Sequence, residues 1–444
     1  MATYDLIIKN GTVVTADQTV QADIAVKDGK IIKVSPDKAI EESADRVIDA
    51  EGLHVFPGLI DSHVHFNEPG RADWEGLETG SKSLAAGGAT SFFDMPLNST
   101  PPVINKKNLH DKQELAKQKS VVNAFCWGGL VPENIADLKD LHEGGVIGFK
   151  AFMSPSGIED FNNADDETLY KGMKEIASFG SLLAVHAEST VMCEELANEK
   201  KAAGKTSAQD YVDSRPIISE IEAVKRVISY AELTGCKLHI VHASSRKVVK
   251  VIEEAKQRGV DITVETCPHY LALTVDDLAE QKAIAKCAPP LRDKHELEDL
   301  WEAVKAGEID TIGSDHSPAP ADMKVITDNF FEGWGGISGA QSTLNILLTE
   351  GHFKRGVSLE KIVEVAATNP AKIFQIPMKG TIAAGYDADI TLVNLSESFV
   401  LQKEDLEYRH KHSPYIGNKY QGKVKTTIVN GEVVFDNDKI VAGK

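Results

Sequence analysis

Eight short apolar runs alternate with amphipathic stretches across residues 55–376 of this 444-residue chain, and both chain ends carry short strands punctuated by Asn-Gly and Asp-Gly. The central alternation predicts an α/β fold, a closed (β/α)8 TIM-like barrel. The ends, 1–54 and 377–444, predict a small β-sandwich domain built from both chain termini. A doubly wound open sheet would need a Gly-x-Gly-x-x-Gly phosphate turn after its first strand, and that motif is absent.

The N-terminal strands are expected at Asp5–Lys9, Thr12–Thr15, Ala22–Val26 and Lys30–Val34, with Asn10-Gly11 and Asp28-Gly29 as hairpin turns. Asp389–Asn394, Lys425–Val429 and Glu432–Phe435, turned at Asn430-Gly431, repeat that texture. Short antiparallel strands are marginal in pairs, so the two ends are expected to share one sandwich. The barrel strands are expected at Phe56–His65, Ala89–Met95, Val121–Leu130, Val146–Phe152, Ser181–Glu188, Lys237–Ala243, Asp261–Cys267 and Ile309–Asp315. Lys107–Lys119, Ser219–Leu233, Ser245–Arg258 and Lys294–Ala306 have helical periodicity between them.

Asp and Glu number 67 against 48 Lys and Arg, a formal net charge of -19, which repels polyanions and argues against a nucleic-acid partner. No stretch reaches the roughly 18 consecutive apolar residues of a membrane span, and Met1–Asp5 lacks the basic and apolar regions of a signal peptide. Five cysteines without Cys-x-x-Cys spacing suit reduced thiols. The expectation is a cytoplasmic protein without membrane attachment.

In a barrel of this kind, chemistry gathers at the carboxyl ends of the strands. The first run ends in His63-Val64-His65, and residues two apart on a strand share a face, so both imidazoles can act on one ion. His186, His242 and Asp315 end the fifth, sixth and eighth runs, and Lys150 lies in the apolar fourth. Alternation sets His239 opposite His242, facing the helices as a structural residue, and lets only one of Asp315 and His316 point inward, of which Asp315 is taken. Glu188 and His269 share parity with inward residues and are read as polar support. A lysine in an apolar strand must be paired, for example with Glu188 or Asp315, or neutral, or chemically modified. A neutral amine beside two metals can capture carbon dioxide as a carbamate. Four histidines, an aspartate and such a carbamate make a donor set for two divalent ions of the zinc type.

The motifs Pro57-Gly-Leu-Ile-Asp-Ser-His-Val-His, Phe149-Lys-Ala-Phe-Met, Val185-His-Ala-Glu, Val241-His-Ala-Ser, Glu265-Thr-Cys-Pro-His-Tyr, Pro289-Pro-Leu-Arg and Gly313-Ser-Asp-His-Ser-Pro resemble the cyclic amidohydrolases of the amidohydrolase superfamily over essentially the whole chain. The resemblance implies ligands His63, His65, Lys150 as N6-carboxylysine, His186, His242 and Asp315, with Asp315 also the proton shuttle for a metal-bridged hydroxide. It implies two Zn2+, with Mn2+ or Co2+ as alternatives, and a homotetramer. Asp94-Met-Pro-Leu-Asn-Ser-Thr-Pro-Pro, Lys286-Cys-Ala-Pro-Pro-Leu-Arg and Trp334-Gly-Gly-Ile-Ser-Gly are most similar to the allantoinase branch. That branch implies hydrolysis of the hydantoin-ring amide of allantoin, a small-molecule substrate lined by Asn98, Cys287, Ala288 and Gly335.

Asn67 stands where dihydroorotases commonly carry an arginine for the substrate carboxylate, and Pro155 where hydantoinases and dihydropyrimidinases usually carry a tyrosine for the tetrahedral intermediate. A metal or Ser154 then has to serve as oxyanion donor. Another ring-opening amidohydrolase is the alternative activity, and a non-catalytic scaffold paralogue, which would be expected to have lost ligands, is more distant. A Cys287 nucleophile competes weakly, because no histidine remains to serve as its base. Ser154–Phe161 reads as a mobile lid or an ordinary surface loop.

Overall fold

A computed structural model describes residues 3–36, 39–326 and 328–441. The eight parallel barrel strands among them are Leu59–Val64, Ala89–Asp94, Asn123–Cys126 continued by Gly128–Gly129, Phe149–Phe152, Leu182–His186, Lys237–Ile240, Ile262–Thr266 and Thr311–Ile312. Each pairs in parallel with its neighbours in chain order. The barrel closes where Val64 bridges His316 and the His65 N–H donates to the His316 carbonyl at 2.8 Å. Ile60, Phe93, Trp127 and Ala184 fill the interior, and Phe374 packs on Phe93, Trp127 and His239 with ring centroids 5.2 Å apart.

The helices form where their periodicity predicts, and side-chain caps open several of them. Asn105 accepts from the Asn108 N–H to open Lys106–Lys119, and Asp293 does the same for Lys294–Ala306, which stops at the left-handed Gly307. Arg246–Gln257 buries Val248, Val249, Ile252 and Ala255 on one stripe against the barrel.

The two chain ends form one nine-stranded sheet among the described residues. Its centre interleaves them: His54–Pro57 lies between Tyr4–Val14 and Ile390–Val400. Leu6, Ile8, Val13 and Ile24 from one end meet Ile390, Leu392 and Ile428 from the other in a core of their own. The chain passes from this sheet into the barrel at Gly58, where a Cβ would lie 2.1 Å from the Thr90 side chain. No larger residue fits that crossing.

Asp28-Gly29 and Asn430-Gly431 are two-residue hairpin turns with positive φ at both positions, as the sequence predicts. Asn10-Gly11 is not a turn. Tyr4–Val14 runs straight through it, and Asn10, at φ 61, makes a bulge that shifts the register against Thr19–Lys27. The same dipeptide chemistry that reverses a chain can also kink one strand.

Candidate metal-dependent active site

Nine of the ten residues singled out for the site line a single cavity of about 750 Å³: His63, His65, Asn98, His186, His242, Cys287 and Asp315, with Ala288 and Gly335 at its wall; Lys150 alone, fully buried, is not part of the cavity lining. Asp315 Oδ1 lies 3.2 Å from His63 Nε2 and 3.3 Å from His65 Nε2, so these three offer converging donor atoms. The His242 ring is 5.5 Å from His63 and 4.6 Å from His186, which carries the row of imidazoles across the cavity. Burial lowers His65, His186 and His242 from the usual imidazole value, so each presents a neutral lone pair. Burial would raise the Asp315 carboxyl, but His63 and His65 outweigh it and hold Asp315 well below the carboxylate range.

Lys150 is fully buried, and its Nζ has no hydrogen-bond partner. The ion pair with Glu188 or Asp315 that its sequence context allowed does not form; the Phe152 ring lies 5.1 Å from Nζ. Burial pushes the ammonium down to about 8, which leaves a reactive neutral fraction at ordinary pH. An orphaned buried amine beside three converging donors and two further histidines fits a metal site of the kind described above.

The support behind these side chains is only partly visible in sequence. Glu265, at the end of the seventh strand, accepts from His63 Nδ1 at 2.7 Å and from Ser62 Oγ at 2.7 Å, and so fixes which His63 nitrogen faces the cavity. Gly313 leaves the space for it: a Cβ there would lie 2.6 Å from Glu265 Oε2. Glu188 sits 2.7 Å from His186 Nε2 and takes both arms of Arg215 at 3.0 and 2.6 Å. Glu188 was expected as polar support and occupies such a place. Glu265 was passed over, although a carboxylate ending an apolar strand is the same signal that selected Asp315.

Strand parity misplaced one histidine. His239 does not face the helices; it pairs in register with the interior Ala184, and its Nδ1 lies 2.7 Å from Thr263 Oγ1 inside the barrel. Its strand ends at Ile240, and His242 takes a left-handed φ of 40, which resets the alternation so that both histidines point inward. Asn67, Asn98 and Asp315 are left-handed too, at φ 64, 67 and 46. Side-chain direction at these strand ends is set by backbone turns. His316 points away from Asp315, toward Glu75 at 3.3 Å, as parity predicts.

The pocket residues differ in what they have free. The Asn98 side-chain amide nitrogen is 3.3 Å from His65 Nδ1, and the Asn98 backbone carbonyl accepts from Arg71 at 2.9 Å. Cys287 Sγ donates to the Pro289 carbonyl at 3.2 Å, and burial pushes its thiol up to about 12, which makes it wall and not nucleophile. Ser154 Oγ is buried at the cavity without a partner. His269 is buried, both ring nitrogens lack partners, and it lies with Cys267 beside Asp315.

Among the described residues no helix is long and apolar enough to cross a membrane. An allantoinase of Solibacter usitatus is 50% identical over 436 residues, covering 98% of this chain and 94% of that one. One from Deinococcus radiodurans is 49% identical, covering 98% and 96%. The solved L-hydantoinase (dihydropyrimidinase) of Arthrobacter aurescens superposes with a TM-score of 0.95 at 34% identity, covering 99% of this chain and 98% of that one. The family model described as the amidohydrolase family matches residues 54–434, and with these relatives it establishes that the chain belongs to that family.

Proposed function

We propose that this chain hydrolyses the hydantoin-ring amide of allantoin to give allantoate. The observation that carries the reading is the convergence of His63, His65 and Asp315 at the mouth of the barrel, in a chain half identical to allantoinases along its length. Two divalent metal ions, Zn2+ first and Mn2+ or Co2+ next, supply when bound an acidified water and a Lewis acid for the ring carbonyl. His63, His65, His186, His242, Asp315 and Lys150 as its carbamate would hold them. The Lys150 amine, with no protein partner to occupy it, adds to carbon dioxide and gives up a proton.

The chain's own groups do the rest. Asp315 accepts the proton of the attacking water and returns it to the ring nitrogen as the C–N bond breaks, general base and then general acid. Ser154, buried and unpartnered at the cavity, donates to the oxygen that gains charge, where Pro155 has removed the tyrosine option. Asn98, Cys287, Ala288 and Gly335 hold the substrate, and Ser154–Phe161 closes over it. Residues 55–376 carry this chemistry, and 1–54 with 377–444 form the accessory sheet domain. A cytoplasmic homotetramer completes the proposal.

Metal-loaded protein is offered allantoin, hydantoin, dihydrouracil and dihydroorotate, and ring opening is followed for each. Preferential opening of allantoin is expected. Preference for hydantoin or dihydrouracil would move the activity to that of the solved relatives, and no opening of any ring would remove the catalytic reading.

A further inference from the structure

Two buried lysines outside the metal site hold the glycine-rich loop that forms one wall of the cavity. Lys286 Nζ donates to the carbonyls of Glu332 and Gly333 at 3.0 and 2.9 Å. Lys324 Nζ donates to the Trp334 carbonyl at 3.4 Å and, at closer range, to that of Gly336. Four of the five carbonyls from Glu332 to Gly336 are thereby turned toward ammonium groups. Gly335 is the exception: among the described residues neither its N–H nor its carbonyl has a hydrogen-bond partner, and it lines the cavity.

Lys286 also ties this loop to the stretch of wall beside it. Its backbone carbonyl accepts from the Gly336 N–H at 2.7 Å, and its chain runs on into Cys287 and Ala288. There the Tyr211 hydroxyl donates to the Cys287 carbonyl at 3.0 Å, and among the described residues the Ala288 peptide, at the cavity, has no hydrogen-bond partner. Tyr211 also lies under the Lys286 ammonium, 5.0 Å from ring centroid to Nζ. Neither lysine has a carboxylate partner among the described residues, and a buried cation without one is expensive to keep. Burial pushes Lys286 down to about 8 and Lys324 to about 7. Stability does not account for two such groups side by side, whereas ordering a loop does.

We propose that Lys286 and Lys324 are positioning residues for the substrate: by claiming the surrounding carbonyls they leave the Gly335 peptide as the one free pair in its loop and fix its distance from Ala288. A planar ureide, with N–H donors next to carbonyl acceptors, is the ligand that such a pair of backbone edges recognises. This inference rests on the allantoin reading for its kinetic arm only.

Lys286→Met and Lys324→Met keep the length and apolar stem of each side chain while removing the ammonium. Each is expected to raise KM for allantoin about tenfold while kcat falls less, with bound metal unchanged by mass spectrometry. Independently of any substrate, hydrogen exchange at the Trp334 and Gly336 amides, which donate to Met323 and Lys286, is expected to accelerate at least about tenfold. Unchanged exchange and unchanged KM in both variants would overturn the proposal, as would a kcat loss that tracks loss of metal. Faster exchange in a protein that opens no allantoin would leave the clamp standing and remove only the substrate.

Discussion

Replacing Lys150 by methionine should stabilise the metal-free protein and destabilise it relative to wild type once metal and bicarbonate are present. Lys150 is fully buried with no hydrogen-bond partner, and burial pushes its ammonium from 10.5 to about 8. At about 1.4 kcal/mol per tenfold change in proton affinity, holding the charged amine in the fold costs ~3 kcal/mol. Methionine has nearly the same length and no charge to bury, so up to that amount, already net of the attraction between Lys150 and Asp315, is recovered. The unfolding entropy of a 444-residue chain is about 1 kcal/mol per degree, which converts the gain to ~3 °C in the melting temperature. The sign follows from linkage. The folded-state value lies below the unfolded one, so the wild-type penalty is complete below about pH 8, shrinks as pH rises from there, and is gone above about 10.5. Thermal unfolding in chelator at pH 7 and near pH 10.5 tests both the size and its disappearance. A wild type as stable as Lys150→Met at pH 7 without metal would refute the argument.

Lys150→Ala should lose two-metal loading and turnover together, with bicarbonate plus a short carboxylic acid restoring part of both; a fully active alanine variant would sink the carbamate. Asp315→Asn, at saturating metal, should lower kcat by about 10² to 10⁴ with the fold intact by circular dichroism, and an unchanged rate would take Asp315 out of proton transfer. Glu265→Gln keeps the shape but not the charge behind His63 Nδ1, so metal affinity measured by chelator competition should fall about 10- to 100-fold. Equal affinity would mean that Glu265 only fills space.

Much of this architecture is written in short-range pattern. The parallel strands follow from apolar runs of the right length, and the inward direction of His63 and His65 follows from their spacing. What the pattern could not carry is anything decided by where a strand stops. His239 was assigned to the helix layer because alternation was carried past Ile240, and the left-handed turn at His242 has no apolar period to announce it. Asn10-Gly11 reads as a hairpin because the dipeptide is compatible with both a reversal and a bulge, and only the partner strand decides. Lys286 and Lys324 were invisible for a different reason. A lysine in a loop reads as solvated, and its burial depends on carbonyls gathered from segments far along the chain.

The sheet that joins the two chain ends also orders events during synthesis. His54–Pro57 leaves the ribosome before any of the barrel, yet one of its edges is covered only when Ile390–Val400 has been made. Until then the nascent chain carries an unpaired strand edge beside a growing α/β core, a surface prone to pairing with other chains. Translation that stalls before Ile390 leaves that edge permanently open. The sheet is therefore completed by the last strands to be translated and not by the barrel that does the chemistry.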